Sequence, residues 1–319
     1  MVRLDSGSPV PPHLRGAIVA LGNFDGFHLG HQAVVRRAVN WARAENKPVI
    51  VATFDPHPMR LFKPDTPPFR LTSLDQRQHL FAAAGAQAML VFHFDAAFAK
   101  MTAEEFVRLE LVERLGAAGV VTGEDFTFGK GRSGDITALR DLGAVLGLRA
   151  AAVAPIAGAD GEVVSSSRIR KALKVGDCAT ATRLLTRPFA MEGVVQHGDK
   201  VGRTIGFPTA NIAMGKYLRP AYGIYAVRGI LPADTDGGRR VLDGAANLGI
   251  RPSFDPPKEL LEAYFFDFSE SLYDQCIEVQ LIQYIRAEEK FDSLDALMAQ
   301  MRDDCDQARQ ILAATPYVA

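Results

Sequence analysis

The chain is poor in several features that would place it in a specialised class of protein. Its 319 residues include three cysteines and one tryptophan, and acidic and basic residues almost cancel to a formal net charge of -1. Cys178, Cys276 and Cys305 lie far apart with no Cys-x-x-Cys pair, which argues against a disulfide framework or a zinc site and favours a cytoplasmic location. The balanced charge leaves no basic surplus for general nucleic-acid binding.

Long hydrophobic runs are also missing. No apolar run approaches the roughly 18 residues that a membrane-spanning helix needs, so we expect no membrane partner. Residues 1–16 are polar and proline-rich and are not expected to act as a secretory signal. Hydrophobic residues make up 48% and charged residues 23% of the chain, which is typical of a folded globular protein, and the length favours two domains.

Strand and helix signals alternate through the first part of the chain. A short apolar run over 17–21 ends at Gly22, a helical pattern follows over 29–44, and a β-branched run over 48–54 comes next. Further strands and helices alternate as far as residue 185. This order predicts an α/β domain with a parallel sheet covered on both faces, whose ligands would bind at the carboxyl ends of the strands.

The pattern changes after Pro188. β-branched and aromatic runs now follow one another between turns, and one helical segment, from Ser293 to about Ala313, ends the chain. This pattern predicts an antiparallel β-barrel with a terminal helix. Residues 1–186 carry a net charge of +4 and residues 187–319 a net charge of -5, and we take these ranges as the two domains.

The sharpest motif is His28-Leu29-Gly30-His31, which opens the first predicted helix directly after the first strand. Two histidines three residues apart lie on one face of a helix. The helix N-terminus offers unpaired N–H groups and a positive dipole end to a phosphate, and imidazoles beside it can donate hydrogen bonds to phosphoryl oxygens. The alternative is a pair of capping or metal-ligating histidines, although a zinc site would need further ligands at a recognised spacing.

A second motif, Ser165-Ser166-Ser167 followed by Arg168, opens a short helix late in the first domain. The hydroxyls can cap that helix, and its N–H groups and arginine can hold β- and γ-phosphates. By itself the same pattern also fits an ordinary serine cap on a basic surface helix. The histidine motif earlier in the chain favours the phosphate site.

Taken together, these two motifs resemble those of the nucleotidyltransferase superfamily. Two further segments, Thr53–Pro58 and Gly123–Gly129, narrow the resemblance to the FMN adenylyltransferase module of bacterial bifunctional riboflavin kinase/FAD synthetases. The resemblance implies a Rossmann-like fold and catalytic roles for His28, His31 and Arg168. It also implies an ATP- and phosphate-binding set in this module: Gly22, Asn23, Phe24, Asp25, Gly30, Asp125, Ser165, Ser166 and Ser167.

The second domain carries an independent signal. The segment from Gly193 to Asn211 is punctuated by glycines and ends in Pro208-Thr209-Ala210-Asn211. Glycines let the backbone approach phosphates closely, and Thr209 and Asn211 can supply neutral oxygen ligands to Mg²⁺. As a bare pattern the segment also fits a β-turn.

The amino-acid sequence of that segment resembles the flavokinase signature, as do the sequences of segments 223–226, 247–254, 261–268 and 272–273. The resemblance implies that Gly202, Arg203 and Pro208 contact ATP, that Thr209 and Asn211 hold the metal, and that Glu262 is the base. A carboxylate in that place would take the proton of a ribityl hydroxyl as it attacks the γ-phosphate. The chain departs from the usual pattern at Tyr264, where histidine is usual, and at Asp274, where glycine is usual. Ser167 replaces the usual threonine of the adenylyltransferase motif.

The sequence therefore predicts a bifunctional enzyme that phosphorylates riboflavin to FMN and then adenylates FMN to FAD, with ATP as co-substrate in both steps and Mg²⁺ as cofactor. One alternative is a nucleotidyltransferase with another phosphate-bearing acceptor and a degenerate kinase domain, which Tyr264 and Asp274 would mark. A second alternative is a flavin- or nucleotide-sensing protein on the same folds. The candidate catalytic side chains are all present, which favours an enzyme over a sensor.

Overall fold

The structure is a computed structural model that describes residues 1–197, 207–231, 238–251 and 258–317. The chain divides into two compact units. The first comprises Met1–Pro67 and Leu74–Ser165, and the second comprises Pro68–Ser73 and Ser166–Ala319. Within the described residues, no helix is both long and apolar enough to span a membrane.

In the described part of the first unit, six parallel strands form one sheet in the order β1-β4-β3-β2-β5-β6. The strands are β1 (Val2–Asp5), β2 (Ile18–Leu21), β3 (Val49–Asp55), β4 (Ala88–His93), β5 (Gly119–Gly123) and β6 (Arg149–Val153). The helices are α1 (Leu29–Ala44), α2 (Pro58–Phe62), α3 (Leu74–Ala83), α4 (Ala103–Glu105), which continues as a π-helix over Phe106–Arg114, and α5 (Ile136–Leu146). The predicted parallel α/β sheet is confirmed.

Both faces of this sheet are covered by apolar side chains. Ile18 and Ala20 of β2 belong to a buried cluster with Val35 of α1. Val19 and Leu21, which point to the other face of the same strand, belong to a second cluster. A strand buried on both faces reads as a continuous apolar run, and this explains why β2 and β3 were recognisable from sequence.

Local capping signals fix several helix starts. The Thr102 side chain accepts a hydrogen bond from the Glu105 backbone N–H, and the Glu105 carboxylate accepts one from the Thr102 backbone N–H, which is a capping box. Asp135 caps α5 by accepting from the Ala138 N–H. The strand β1 was not predicted, because its four residues pair with β4 at the sheet edge and only Leu4 is buried.

Gly143 provides a test of packing in this unit. It is buried in α5, and a Cβ at this position would clash with the backbone carbonyl oxygen of Leu148. Alanine usually stabilises a helix interior relative to glycine. Here we expect Gly143→Ala to lower the free energy of unfolding by about 1–3 kcal/mol, because the backbone at Leu148 must shift to make room for the added methyl group.

Urea or thermal unfolding measures this effect. Val145→Ala, at an exposed position of the same helix, is the matched control and should change stability by less than about 0.5 kcal/mol. A Gly143→Ala variant at least as stable as the wild type would contradict the prediction.

The second unit contains a closed barrel with the strand order β10-β11-β8-β7-β12-β9 and antiparallel pairing throughout its described registers. Its elements are α6 (Ser166–Lys174), α7 (Cys178–Leu185), β7 (Phe189–Gln196), β8 (Ala210–Ala213), β9 (Gly223–Ile230), β10 (Val241–Arg251), β11 (Lys258–Phe265), β12 (Cys276–Arg286) and α8 (Leu294–Ala314). The predicted barrel and terminal helix are confirmed.

The C-terminal helix α8 packs on the outer face of the barrel. Ala308 and Leu312 of α8 form a buried cluster with Phe266 and small residues of β9 and β10. Two buried charges reinforce this contact. The Arg286 guanidinium binds Asp304 through both carboxylate oxygens at 2.7 and 2.8 Å. Arg228, 4% exposed, donates to the Leu312 carbonyl.

The short segment Pro68–Ser73 belongs to the second unit although it lies early in the chain. Arg70 and Leu218 are joined by a backbone hydrogen bond of 2.7 Å, and the Arg70 N–H donates to the Lys216 carbonyl. The Arg170 side chain donates to the Phe69 carbonyl at 2.9 Å and lies over the Phe69 ring. These contacts attach the segment to α6 and to the loop after β8.

Candidate functional site

The first helix of the α/β unit begins at the histidine motif. His28 is the N-cap of α1, and its Nδ1 accepts a hydrogen bond from the His31 backbone N–H at 3.4 Å. Since Nδ1 is the acceptor, the neutral ring carries its proton on Nε2 and can donate from that atom. The two imidazole rings stack with centroids 3.6 Å apart and planes 20° apart. The geometry therefore brings the two predicted histidines together at a helix N-terminus.

Glycines in this motif leave room for the neighbouring rings. A Cβ on Gly30 would lie 3.2 Å from the His28 ring, and one on Gly22 would lie 3.1 Å from the Phe24 ring. The same Cβ on Gly30 would lie 3.8 Å from the carbonyl oxygen of Val164. These two glycines therefore permit the close packing that holds His28 and Phe24 in place.

The loop between β2 and α1 has an unusual backbone. Phe24 and Phe27 adopt φ values of 49° and 47°, a left-handed conformation that costs energy for residues other than glycine. Buried aromatic packing holds both side chains. The Phe24 ring meets the edges of the His31 and Phe81 rings at centroid distances of 5.3 and 5.7 Å. Asp25, in the same loop, is 3% exposed.

Two buried side chains hold this loop in place through hydrogen bonds. Thr53 donates its hydroxyl to the carbonyl of Asn23 at 2.8 Å. Arg77 of α3 donates to the same carbonyl at 3.3 Å and to the Thr53 hydroxyl at 3.1 Å. Thr53 and Arg77 are 0% and 3% exposed. Sequence reasoning did not single out Arg77, because nothing in a local helical pattern shows that its side chain reaches the loop after β2.

This contact gives a testable prediction. Thr53→Val keeps the side-chain shape but removes the hydroxyl, so the Asn23 carbonyl and Arg77 each lose a partner. The loss of two hydrogen bonds between buried groups costs about 1–3 kcal/mol, and we expect the FAD formation that the sequence motifs imply to slow by about tenfold as the loop loses this support. The rate of FAD formation from FMN and ATP measures the effect.

Thr122→Val, which changes a buried threonine of β5 in the same way, is the control and should form FAD at the wild-type rate. FMN formation from riboflavin should be unchanged in both variants. A Thr53→Val enzyme with normal FAD formation would show that the loop does not depend on this hydrogen bond.

Asp125 follows β5, the strand next to β2 in the sheet. Its carboxylate lies against the backbone at Gly123, because a Cβ there would be 2.8 Å from Asp125 Oδ1. The residue is exposed and stands at the carboxyl edge of the sheet, as the β2–α1 loop does. The structure thus brings Asp125 to the predicted edge.

The serine motif begins α6. Ser166 is its first residue, Ser167 is exposed, and Arg168 is half-buried. Ile169 and Leu173 form its buried side, so the serines and Arg168 are left on the rest of the helix surface. The phosphate-binding roles of these residues stay predictions.

In the barrel, three polar residues lie side by side across three adjacent strands. In the sheet register, Glu262 of β11 is directly opposite Asn211 of β8 on one side and Asn247 of β10 on the other. Paired residues point to the same face of a sheet. The neighbours Leu261 and Ala263 are fully buried in the barrel interior, so the polar row lies on the outer face.

Strand β11 carries a second glutamate, Glu259, which has a different environment. Its carboxylate contacts the Arg219 guanidinium at 2.6 Å and accepts a hydrogen bond from the Tyr222 hydroxyl at 2.5 Å. The hydrogen bond from Arg219 lowers the pKa of Glu259. A carboxylate that is held in its charged form by an arginine is a poor proton acceptor, which argues against Glu259 as a base.

Both departures from the flavokinase pattern have a structural explanation. Tyr264 lies two residues after Glu262 on the same face, where its ring meets the edges of Phe207 and Phe266 at 5.3 and 5.8 Å. Asp274 adopts φ 64°, the left-handed conformation that favours glycine and that aspartate tolerates better than most residues. Its backbone N–H donates to the Val195 carbonyl. Neither residue disrupts the strand that carries Glu262.

Three residues of the glycine-punctuated segment were predicted to contact ATP. Gly202 and Arg203 lie outside the described residues, whereas Pro208 is described, is exposed and precedes β8. Thr209 is half-buried and lies two residues before Asn211. Asn247 belongs to a segment that resembles flavokinases, yet sequence reasoning gave it no role. Its place in the row depends on strand register, which local sequence does not show.

The two units together define a class of protein. A Rossmann-like sheet that presents paired histidines at a helix N-terminus is typical of nucleotidyltransferases, and here it is joined to a closed antiparallel barrel. A family model described as FAD synthetase matches residues 10–168, and one described as riboflavin kinase matches residues 185–312. The protein is therefore an enzyme with a nucleotidyltransferase and a kinase domain.

Relatives of known name cover almost the whole chain. A bifunctional riboflavin kinase/FMN adenylyltransferase of Escherichia coli K12 is 38% identical over 94% of this chain and 94% of its own length. The protein of the same name from Bacillus subtilis is 34% identical, over 92% and 91%. This chain belongs to the family of bifunctional riboflavin kinase/FMN adenylyltransferases, which confirms the resemblance inferred from sequence.

A solved structure shows the same fold over the full length. A crystal structure of a Streptococcus pneumoniae protein, described as a macrolide-efflux protein, is similar to this chain with a TM-score of 0.84 and 30% identity. The similarity covers 97% of this chain and 99% of that one.

Proposed function

We propose that residues 1–186 transfer the AMP part of ATP to FMN, and that residues 187–319 phosphorylate riboflavin. Two observations support this division. Stacked histidines stand at the helix N-terminus of the first unit, and Glu262 lies between two asparagines on the barrel. The riboflavin kinase product, FMN, is the substrate of the adenylyltransferase, so the two activities form consecutive steps to FAD.

In the adenylyl transfer, a phosphate oxygen of FMN attacks the α-phosphorus of ATP, and pyrophosphate leaves. No protein nucleophile is needed. Negative charge develops on the phosphoryl oxygens, and hydrogen-bond donors aimed at them lower the barrier. We assign this role to His28, His31 and Arg168, and phosphate binding to the N–H groups and hydroxyls around Gly22–Asp25 and Ser165–Ser167. Asp125 is proposed as a further ATP-site residue.

In the kinase reaction, the terminal ribityl hydroxyl attacks the γ-phosphorus of ATP and ADP leaves. Glu262 takes the proton of that hydroxyl, so a single carboxylate accounts for the proton balance. Gly202, Arg203 and Pro208 are proposed to contact the nucleotide. Asn211 and Thr209 lie on the β8 side of Glu262, which is the side we assign to the phosphates.

The residues on that side fit Mg²⁺. Asn211 Oδ1 is buried and accepts no hydrogen bond from the described residues, and Mg²⁺ prefers oxygen ligands. We propose that Asn211 and Thr209 hold the ion, which when bound neutralises charge on the phosphates. We also propose a cytoplasmic location, because none of the described cysteines forms a disulfide.

The purified protein, incubated with riboflavin, ATP and Mg²⁺, tests these assignments when riboflavin, FMN and FAD are separated by chromatography over time. FMN followed by FAD is the expected result, and chelation of Mg²⁺ should stop FMN formation. FMN alone would indicate an adenylyltransferase with another acceptor. FAD from added FMN without FMN from riboflavin would indicate a lost kinase. Turnover of neither flavin would favour the sensor hypothesis.

A further inference from the structure

Two amide oxygens flank Glu262, and neither is satisfied. Asn211 Oδ1 and Asn247 Oδ1 are both buried, and neither accepts a hydrogen bond from a described residue. A buried acceptor without a hydrogen bond costs about 1–3 kcal/mol, and such acceptors are rare in native structures. An unsatisfied oxygen on each side of Glu262 marks two positions at which a bound molecule or a water can donate a hydrogen bond.

The two oxygens cannot serve one small ion. Asn211 and Asn247 are separated by two strand spacings, about 9.5 Å between backbones, with Glu262 between them. Side chains on the outside of a closed barrel diverge as they leave the backbone. Mg²⁺ binds oxygen at about 2.0–2.1 Å, which requires its ligand oxygens to lie close together. If Asn211 holds the metal with Thr209, Asn247 has a different partner.

The position of Asn247 indicates what that partner is. The attacking hydroxyl must stand at Glu262, with the γ-phosphate and its metal on the β8 side. The rest of the acceptor molecule then extends to the opposite side, where β10 presents Asn247. Atoms of the acceptor next to its terminal hydroxyl are the first that this side chain can meet.

We propose that Asn247 Oδ1 accepts a hydrogen bond from a secondary hydroxyl of the ribityl chain and thereby selects a polyol-bearing flavin. The inference rests on the proposed role of Glu262 as the base. A neutral amide suits this task, because it binds a hydroxyl without moving a proton and adds no charge beside Glu262. A site that hydrogen-bonds a substrate hydroxyl discriminates against an analogue that lacks this hydroxyl, because the buried acceptor then has no hydrogen-bond donor.

The test combines one side-chain change with one substrate change. Asn247→Leu keeps a similar volume and removes the acceptor, and Asn247→Ala serves as a second variant that adds no bulk. The substrate analogue is a riboflavin whose side chain is a 5-hydroxypentyl group, which keeps the terminal hydroxyl and lacks the secondary ones. kcat and KM for the flavin, and the Mg²⁺ dependence, are measured for each combination.

With riboflavin, we expect both variants to lose about 10- to 100-fold in kcat/KM, mainly through KM for the flavin. With the analogue, the same substitutions should cost no more than about threefold, because the hydroxyl that Asn247 binds is already missing. Gln283→Leu, which removes an exposed amide elsewhere on the barrel, is the matched control and should behave as the wild type with both flavins.

Equal losses with riboflavin and the analogue would overturn the proposal, as would normal riboflavin kinetics in both variants. A raised Mg²⁺ requirement with unchanged riboflavin KM would instead make Asn247 a metal ligand. These outcomes differ from a failure of the proposed kinase function, in which the wild-type enzyme would form no FMN. Circular dichroism and FAD formation from added FMN confirm that each variant is folded.

Discussion

His31→Ala is expected to reduce FAD formation from FMN by about 100- to 1,000-fold, the usual cost of removing a donor that stabilises transition-state charge. FMN formation from riboflavin should continue at the wild-type rate, because we assign that reaction to the barrel, where the riboflavin kinase model matches. The ring of His31 stacks on His28 and contacts Phe24, so the variant also loosens the motif around the helix start. Chromatography of both products from one incubation with riboflavin and ATP measures the two rates together.

His79→Ala is the control for this prediction. His79 is an exposed histidine of α3 in the same unit, and its removal should leave both rates unchanged. His31→Gln keeps a hydrogen-bond donor and should recover part of the lost rate. If His31→Ala formed FAD at the wild-type rate, the catalytic assignment of the histidine motif would be abandoned.

Glu262→Gln should have the reciprocal effect. The amide keeps the size of the side chain but accepts no proton at neutral pH, so FMN formation should fall by about 100- to 10,000-fold. FAD formation from added FMN should be unchanged. The initial rate of FMN formation from riboflavin, with ATP and Mg²⁺ saturating, measures the loss.

Glu259→Gln makes the same chemical change three residues earlier on β11. It removes the ion pair with Arg219, so we expect lower thermal stability and a nearly normal rate of FMN formation. Equal losses of rate in the two variants would indicate that both substitutions act by disturbing the structure of β11. The proposed role of Glu262 as the base would then be rejected.

Much of the fold follows from local sequence. The apolar run before Gly22 and the helical pattern after it predicted β2 and α1, and α1 spans Leu29–Ala44 as expected. The capping box at Thr102 was equally visible. In each case, the signal lies within a few residues of the element that it determines. The π-helical continuation after Glu105 carries no comparable local signal.

The contacts that the sequence did not reveal are long-range. Arg77 donates a hydrogen bond to the carbonyl of Asn23, which lies 54 residues earlier in the chain. This contact depends on how α3 packs on the sheet. The row of Asn211, Glu262 and Asn247 depends on the register of three strands, which the packing of the barrel determines. Composition and motifs identified two of its members, and only the register added the third.

The early segment Pro68–Ser73 has a consequence for how the protein is made. Its backbone partners, Lys216 and Leu218, leave the ribosome long after Arg70 does. At roughly 5–20 residues per second, the delay is on the order of ten seconds. In the last part of that delay, after Ser165 has been made, the first unit has all of its own residues and can fold, while Arg70 still lacks its two backbone partners in the loop after β8. A nascent chain halted before Lys216 should therefore be cut by protease near residue 70, and a released full-length chain should resist cleavage there.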